Sequence, residues 1–193
     1  MAQSSNGGDA GNQPASAGAK PQKPESGEAK QQQEQQQQQQ PPGIHVLGQY
    51  IKDLSFENPA APRSLRPSDV NPELQVNVNV NAKALGENAQ FEVELKLNAN
   101  AKRGDDTMFI AEVLYAGIFQ VRNVPQEHVR PMVLIECPRL LFPFARHILA
   151  DVTRQGGFPP LLIDPVDFAA LYRQKLADEN VQQAAAQATQ TGS

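Results

Sequence analysis

The side chains that most often carry catalysis or hold metals are few here: three histidines and one cysteine among 193 residues, besides the carboxylates. His45, His128 and His147 do not stand in clusters of Cys, His or carboxylates at metal-ligand spacing, so each reads as a surface or partly packed imidazole. Cys137, ahead of Pro138 at a helix entrance, reads as a buried structural thiol; a thiol of lowered pKa at a helix N-terminus is the alternative. Gly156-Gly157 has no accompanying G-x-G-x-x-G or G-K-[ST], which makes it a helix stop and not a phosphate loop. Glu92 and Glu94 alternate with Lys96 as on a solvated strand face, whereas an acid–base pair would need burial to drive its pKa values apart. No catalytic constellation emerges, and an enzyme is not expected. The acids Asp53, Glu57 and Glu112 are harder to dismiss. Glu112 interrupts a run of Met108, Ile110, Leu114 and Ala116, either as a stray solvated charge or as part of a recognition surface.

The elements that position these residues follow from periodicity. Leu74, Val76, Val78, Val80 and Ala82 alternate with Gln75, Asn77, Asn79 and Asn81. Phe91, Val93, Leu95, Leu97 and Ala99 alternate in the same way with polar residues. Period-2 alternation of this length predicts strands with one wet face, and short Gly-containing connections predict antiparallel hairpins. A third such stretch, Thr107 to Gln120, is apolar on both faces, with Phe109, Ala111, Val113 and Tyr115 opposite the Met108–Ala116 set. The second face is expected to be covered by another subunit. Upstream, Ile44–Phe56 reads as a first strand with a bulge or twist at Gly48, and the Pro-rich Glu57–Pro72 as a long extended excursion.

Helices follow. Pro125–Glu136 is interrupted by Pro131. Arg139–Gln155 carries one wide stripe of Leu140, Leu141, Phe144, Ala145, Ile148, Leu149 and Val152. A second helix opens at Asp164-Pro165, with Asp164 as N-cap and Phe168, Leu171, Tyr172 and Leu176 on one face. Strands first and helices afterwards make an α+β fold. Cys137 to Tyr172 holds more apolar surface than one helix–loop–helix unit can bury against itself, which suits a surface for sister subunits or for other apolar chain.

Residues 1–43 hold Gly, Ser, Ala, Pro, Lys, Glu and a long Gln run, which cannot bury enough apolar area to offset ordering entropy; they read as a disordered leader. Residues 44–180 form the folded domain and 181–193 a flexible tail, frayed helix and then coil. A formal net charge of −4 and a pI near 5.4 argue against a nucleic-acid partner. A signal peptide and an apolar run of about 20 residues, the length needed to span a bilayer, are both lacking, so membrane insertion is not expected. A single cysteine fits a reducing, cytoplasmic compartment.

Three segments, YIKDLSFENPAAP (Tyr50–Pro62), FIAEVLYAGIF (Phe109–Phe119) and CPRLLFPFARHILADVTRQGGFPPLLIDPVDFAALY (Cys137–Tyr172), resemble the SecB family of bacterial protein-export chaperones, in its order and spacing over roughly Ile44 to Gln183. The resemblance implies a four-stranded antiparallel sheet with helices packed on one side, assembled as a homotetramer, a dimer of dimers. It implies a cytoplasmic holdase that uses no cofactor, keeps unfolded precursor proteins translocation-competent in apolar grooves and delivers them to the translocase motor SecA. Carried over residue by residue, SecA contact falls on Asp53, Glu57, Ile110 and Glu112, facing a small basic zinc module of SecA; the zinc is the partner's, and no metal site is expected in this chain. Subunit-interface positions fall on Ala111, Val113 and Tyr115. Client binding is expected at Tyr50, Phe56, Phe142, Phe158, Leu161, Phe168 and Tyr172, the large apolar residues of the matching segments. A SecB-like chaperone of a toxin–antitoxin pair and a purely self-assembling structural protein are the competing readings.

Overall fold

The computed structural model describes residues 41–86 and 89–190, the side chains of 184–190 excepted; the expectations for the leader up to residue 40 and for the last three residues lie outside them. The alternating segments form β1 (Gly43–Glu57), β2 (Glu73–Ala84), β3 (Gln90–Arg103) and β4 (Asp106–Arg122). They build one antiparallel sheet in the order β1-β4-β3-β2. Both hairpins join neighbours, as expected. The β3–β4 turn is closed by the pair Arg103↔Asp106, with Gly104 at φ +59°, a left-handed conformation that tight hairpin turns need and a Cβ disfavours. The first strand pairs with the last. The proline-bearing segment after Glu57 therefore carries the chain from one sheet edge to the other.

Two irregularities in β1 decide what faces where. Register shifts fall between Val46 and Gly48 and between Ile51 and Asp53, so Leu47 and Lys52 are extra residues opposite an uninterrupted β4. Each bulge reverses the phase of the side chains that follow. Tyr50 pairs with Ala116, and after the second bulge Asp53 pairs with Leu114, Ser55 with Glu112 and Glu57 with Ile110. These residues share the face without helices. Ile51, Leu54 and Phe56 pair with Tyr115, Val113 and Ala111 and share the helix side.

The helical part is α1 (Gln126–Pro131), a π turn (Met132–Glu136), α2 (Cys137–Gln155) and α3 (Phe168–Gln190). The chain does not break at Pro131. It widens instead: the Cys137 N–H bonds to the carbonyl of Met132, five residues back. This wide turn lies between Pro131 and Pro138, each of which removes a backbone donor, and absorbs the register misfit they create. The start expected at Asp164 is also corrected. Asp164-Pro165-Val166 is irregular, and Asp167 is the cap, its Oδ1 accepting the Ala170 N–H at 3.0 Å. The tail stays helical to Gln190.

The helices cover the face of β3 and β4 that carries Val93, Leu95, Leu97, Ala99, Ala111, Val113 and Phe119, all without solvent exposure. The stripe expected on α2 divides in two. Cys137, Leu141, Phe142, Ala145, Leu149 and Thr153 face the core, while Leu140 and Phe144, 44% and 51% exposed, form an outward shoulder. Met108, expected beside Ile110, is displaced by a register shift at the start of β4 and is buried in the floor of a helix-side groove.

Candidate functional site

On the open face, rows of paired residues form a grid. Tyr50, Ala116 and Glu94 make one row; Asp53, Leu114 and Lys96 the next; Ser55, Glu112 and Asn98 a third; Glu57, Ile110 and Asn100 a fourth. The four residues expected to contact SecA thus lie on one face, in three successive rows. Glu112 is held by the Lys96 ammonium at 2.8 Å and by the Asn98 amide, which donates at 2.9 Å. The Lys96 contact, then the Asn98 bond, keep its carboxyl below the usual glutamate range. No ion pair reaches Asp53 or Glu57 among the described residues. Ile110, half-buried opposite Glu57 and one row from Glu112, supplies the apolar member of the patch.

The helix side carries a groove of about 460 Å³. One wall is the segment between β1 and β2, with Leu65 and Val70. The other is the Gly157–Leu162 loop, and Met108 and Phe109 lie in the floor. Its rim is exposed and apolar: Leu162 is 79% and Val70 59% exposed. Beneath, Phe109 and Phe158 rings sit 4.9 Å apart and Phe56 stacks on Phe109 at 5.9 Å. The loop wall depends on two local devices. Gly156 admits the Phe56 ring, since a Cβ there would stand 2.1 Å from Cζ, and Gly157 takes φ +89° to end the helix. Thr153, fully buried, then pins the loop. Its Oγ1 lies 3.1 and 3.0 Å from the Leu149 and Ala150 carbonyls and accepts the Leu161 N–H at 3.0 Å. Apolar periodicity does not mark Thr153; its signal in the sequence is a polar residue four places after Leu149, in line with the buried stripe.

The expected client residues do not form one surface. Phe158 and Leu161 line this groove, and Phe56 lies beside it. Phe142 and Phe168 are core, packed edge to face at 5.9 Å. Tyr172 lines a separate cleft of about 250 Å³ between β2 and α3. Tyr50 lies on the open face, its hydroxyl donating to Glu92 Oε1 at 2.5 Å. Of the expected interface residues, Ala111 and Val113 are fully covered by their own chain. Tyr115 stacks on Phe144 at 6.2 Å, beneath the exposed shoulder of α2. Cys137 is buried, and burial, then the nearby Glu136 charge, push its thiol up to about 12, so it is protonated and inert at neutral pH. Among the described residues no group of His, Cys, Asp and Glu is placed to hold a metal, and no helix is long and apolar enough to cross a membrane.

Residues 35–179 match the family model described as preprotein translocase subunit SecB. The chain belongs to the SecB family. Curated relatives named protein-export protein SecB agree: that of Bradyrhizobium sp. is 55% identical over 78% of this chain and 90% of its own length, that of Agrobacterium fabrum 56% over 72% and 86%, and that of Bartonella quintana 53% over 72% and 87%. Among solved structures, a Mycobacterium tuberculosis SecB-like chaperone in complex with an antitoxin peptide aligns at TM-score 0.48 and 15% identity, over 64% of this chain and 87% of that one. SecB membership makes the chain a chaperone of protein export.

Proposed function

We propose that this chain is a cytoplasmic holdase that binds unfolded precursor proteins on the helix side of its sheet and presents them to SecA through the open face. The observation that carries this reading is the separation of the two surfaces. The groove with the exposed rim of Leu162 and Val70 offers apolar area to extended chain, and Asp53, Glu57, Ile110 and Glu112 share the other face. Rim charges of this kind govern association rate and specificity for a basic partner. Holding and delivery can then proceed on one molecule without competition. The toxin–antitoxin alternative is not favoured, since the relatives carry the protein-export name.

The assembly we propose is a dimer of dimers. Val46, Ile51 and Leu54 on the outer strand are each more than 40% exposed, as are Leu140 and Phe144 on α2. A second copy would remove this apolar surface from water. Ala111, Val113 and Tyr115 contribute from below, by setting the position of α2.

The test is suppression of aggregation of an unfolded periplasmic precursor, paired with calorimetry against the SecA C-terminal tail. The wild-type chain should delay aggregation and bind the tail. Glu112→Lys should abolish tail binding and keep holding intact. Loss of holding with retained tail binding would mean that the two surfaces are assigned the wrong way round.

A further inference from the structure

The open face carries two further acids, Glu92 and Glu94 on β3, next to the rows that hold Asp53 and Glu112. They are occupied. Lys52, the extra residue of the second bulge, crosses β4 and places its ammonium 2.8 Å from Glu92 Oε1 and 2.5 Å from Glu94 Oε1. The crossing is possible because the β4 residue in that row is Ala116, fully buried and too small to block the way. Tyr50 donates to Glu92 from the strand of Lys52, the Asn81 amide lies 3.4 Å from Glu94 Oε2, and Lys83 on β2 stands opposite Glu92 in the ladder. In this half of the face two acids meet two lysines. In the other half, which holds Asp53, Glu57 and Glu112, the described residues make one ion pair, Lys96 on Glu112, which leaves a net negative field there.

We propose that Lys52 is a specificity-determining counter-ion of the open face: by occupying Glu92 and Glu94 it confines a basic partner segment to the half formed by Asp53, Glu57, Ile110 and Glu112. The proposal rests on the reading that the open face receives such a partner. An ammonium already within contact distance of two carboxylates leaves little field for an incoming cation, and at physiological salt the reach of the remaining charge is about 8 Å. The bulge has two effects here. It turns Asp53 and Glu57 onto the face, and it frees Lys52 to screen their neighbours.

The test uses the full chain and the zinc-loaded SecA tail as probe, titrated calorimetrically over a salt series. Lys52→Gln should tighten binding roughly three- to tenfold at low salt and steepen its salt dependence, because two carboxylates become available. Lys52→Gln combined with Glu92→Gln and Glu94→Gln should return to wild-type affinity. Arg173→Gln, the same charge loss on α3, controls for net charge and should change nothing. Equal affinity in Lys52→Gln and wild type, or equal tightening by Arg173→Gln, overturns the proposal. The two layers separate cleanly. If wild-type chain fails to bind the tail, the open-face assignment falls and this inference with it. If Glu112→Lys abolishes binding while Lys52→Gln changes nothing, only the Lys52 proposal falls.

Discussion

Glu112 shows how a single residue can serve both fold and surface. Its carboxylate accepts from Asn98 and pairs with Lys96 across the β3–β4 ladder, which favours its charged form. A carboxyl depressed in the folded state contributes stability that is present above its ordinary value of 4.5 and lost as pH falls through the depressed value. The melting-temperature gap between wild type and Glu112→Gln should therefore be open at pH 7 and close on acidification below the ordinary glutamate range; a gap independent of pH would show that the ion pair contributes nothing. Client contact is best probed at the rim. Phe158 and Phe142 are buried, so truncating either costs about 3–5 kcal/mol of packing and confounds holding with stability. Leu162 is free of that objection, being 79% exposed. Leu162→Asp should weaken holding of an unfolded client several-fold with a melting-temperature change near zero. Unchanged holding would move the groove elsewhere.

At the scale of the element, one buried hydroxyl ties the far end of the loop after α2 back to the helix, beside the backbone bond from the Phe158 N–H to the Thr153 carbonyl. Thr153→Val keeps the shape and removes the acceptor of the Leu161 N–H, leaving a buried donor unpaired at a cost of about 1–3 kcal/mol. The expected result is a lower denaturation midpoint together with weaker client holding, because the groove wall moves with the loop. A variant with the lower midpoint and undiminished holding would detach the loop from the groove. β1 makes the same point about geometry. Its sequence looks like an imperfect alternation, and the two bulges convert that imperfection into two correctly sorted faces.

At the scale of the whole molecule, the exposed apolar side chains of the described residues include, apart from the groove rim of Leu162 and Val70, a second group along β1 and on the outward shoulder of α2. Phe144 is the position where a charge should do most damage, since its ring is half-exposed and rests on Tyr115. Light scattering should give about 84 kDa for the wild type, four times 21.0 kDa. Phe144→Asp should reduce that mass, because association would bury an unpaired carboxylate. A wild-type monomer at micromolar concentration would refute the tetramer.

The sequence by itself determined the elements with strong period. The Asn-alternating β2 and its partner β3 could only be half-wet strands, their short turns made them antiparallel neighbours, and the signature segments specified the family. It also placed the acids of the open face, through the resemblance. Periodicity alone could not have put Asp53 and Glu57 on the face of Glu112, because that depends on an extra residue at Lys52, visible only against a paired strand. Nor could it separate core from groove among the aromatics. Phe142, Phe158 and Phe168 have the same hydrophobicity, and only the position of α2 over the sheet makes Phe142 and Phe168 core and Phe158 a groove wall. The helix through Pro131 is the third such case. A proline lowers the odds of a helix locally, yet packing of Val133 and Cys137 against the core outweighs one missing hydrogen bond, and the chain takes up the misfit as a π turn.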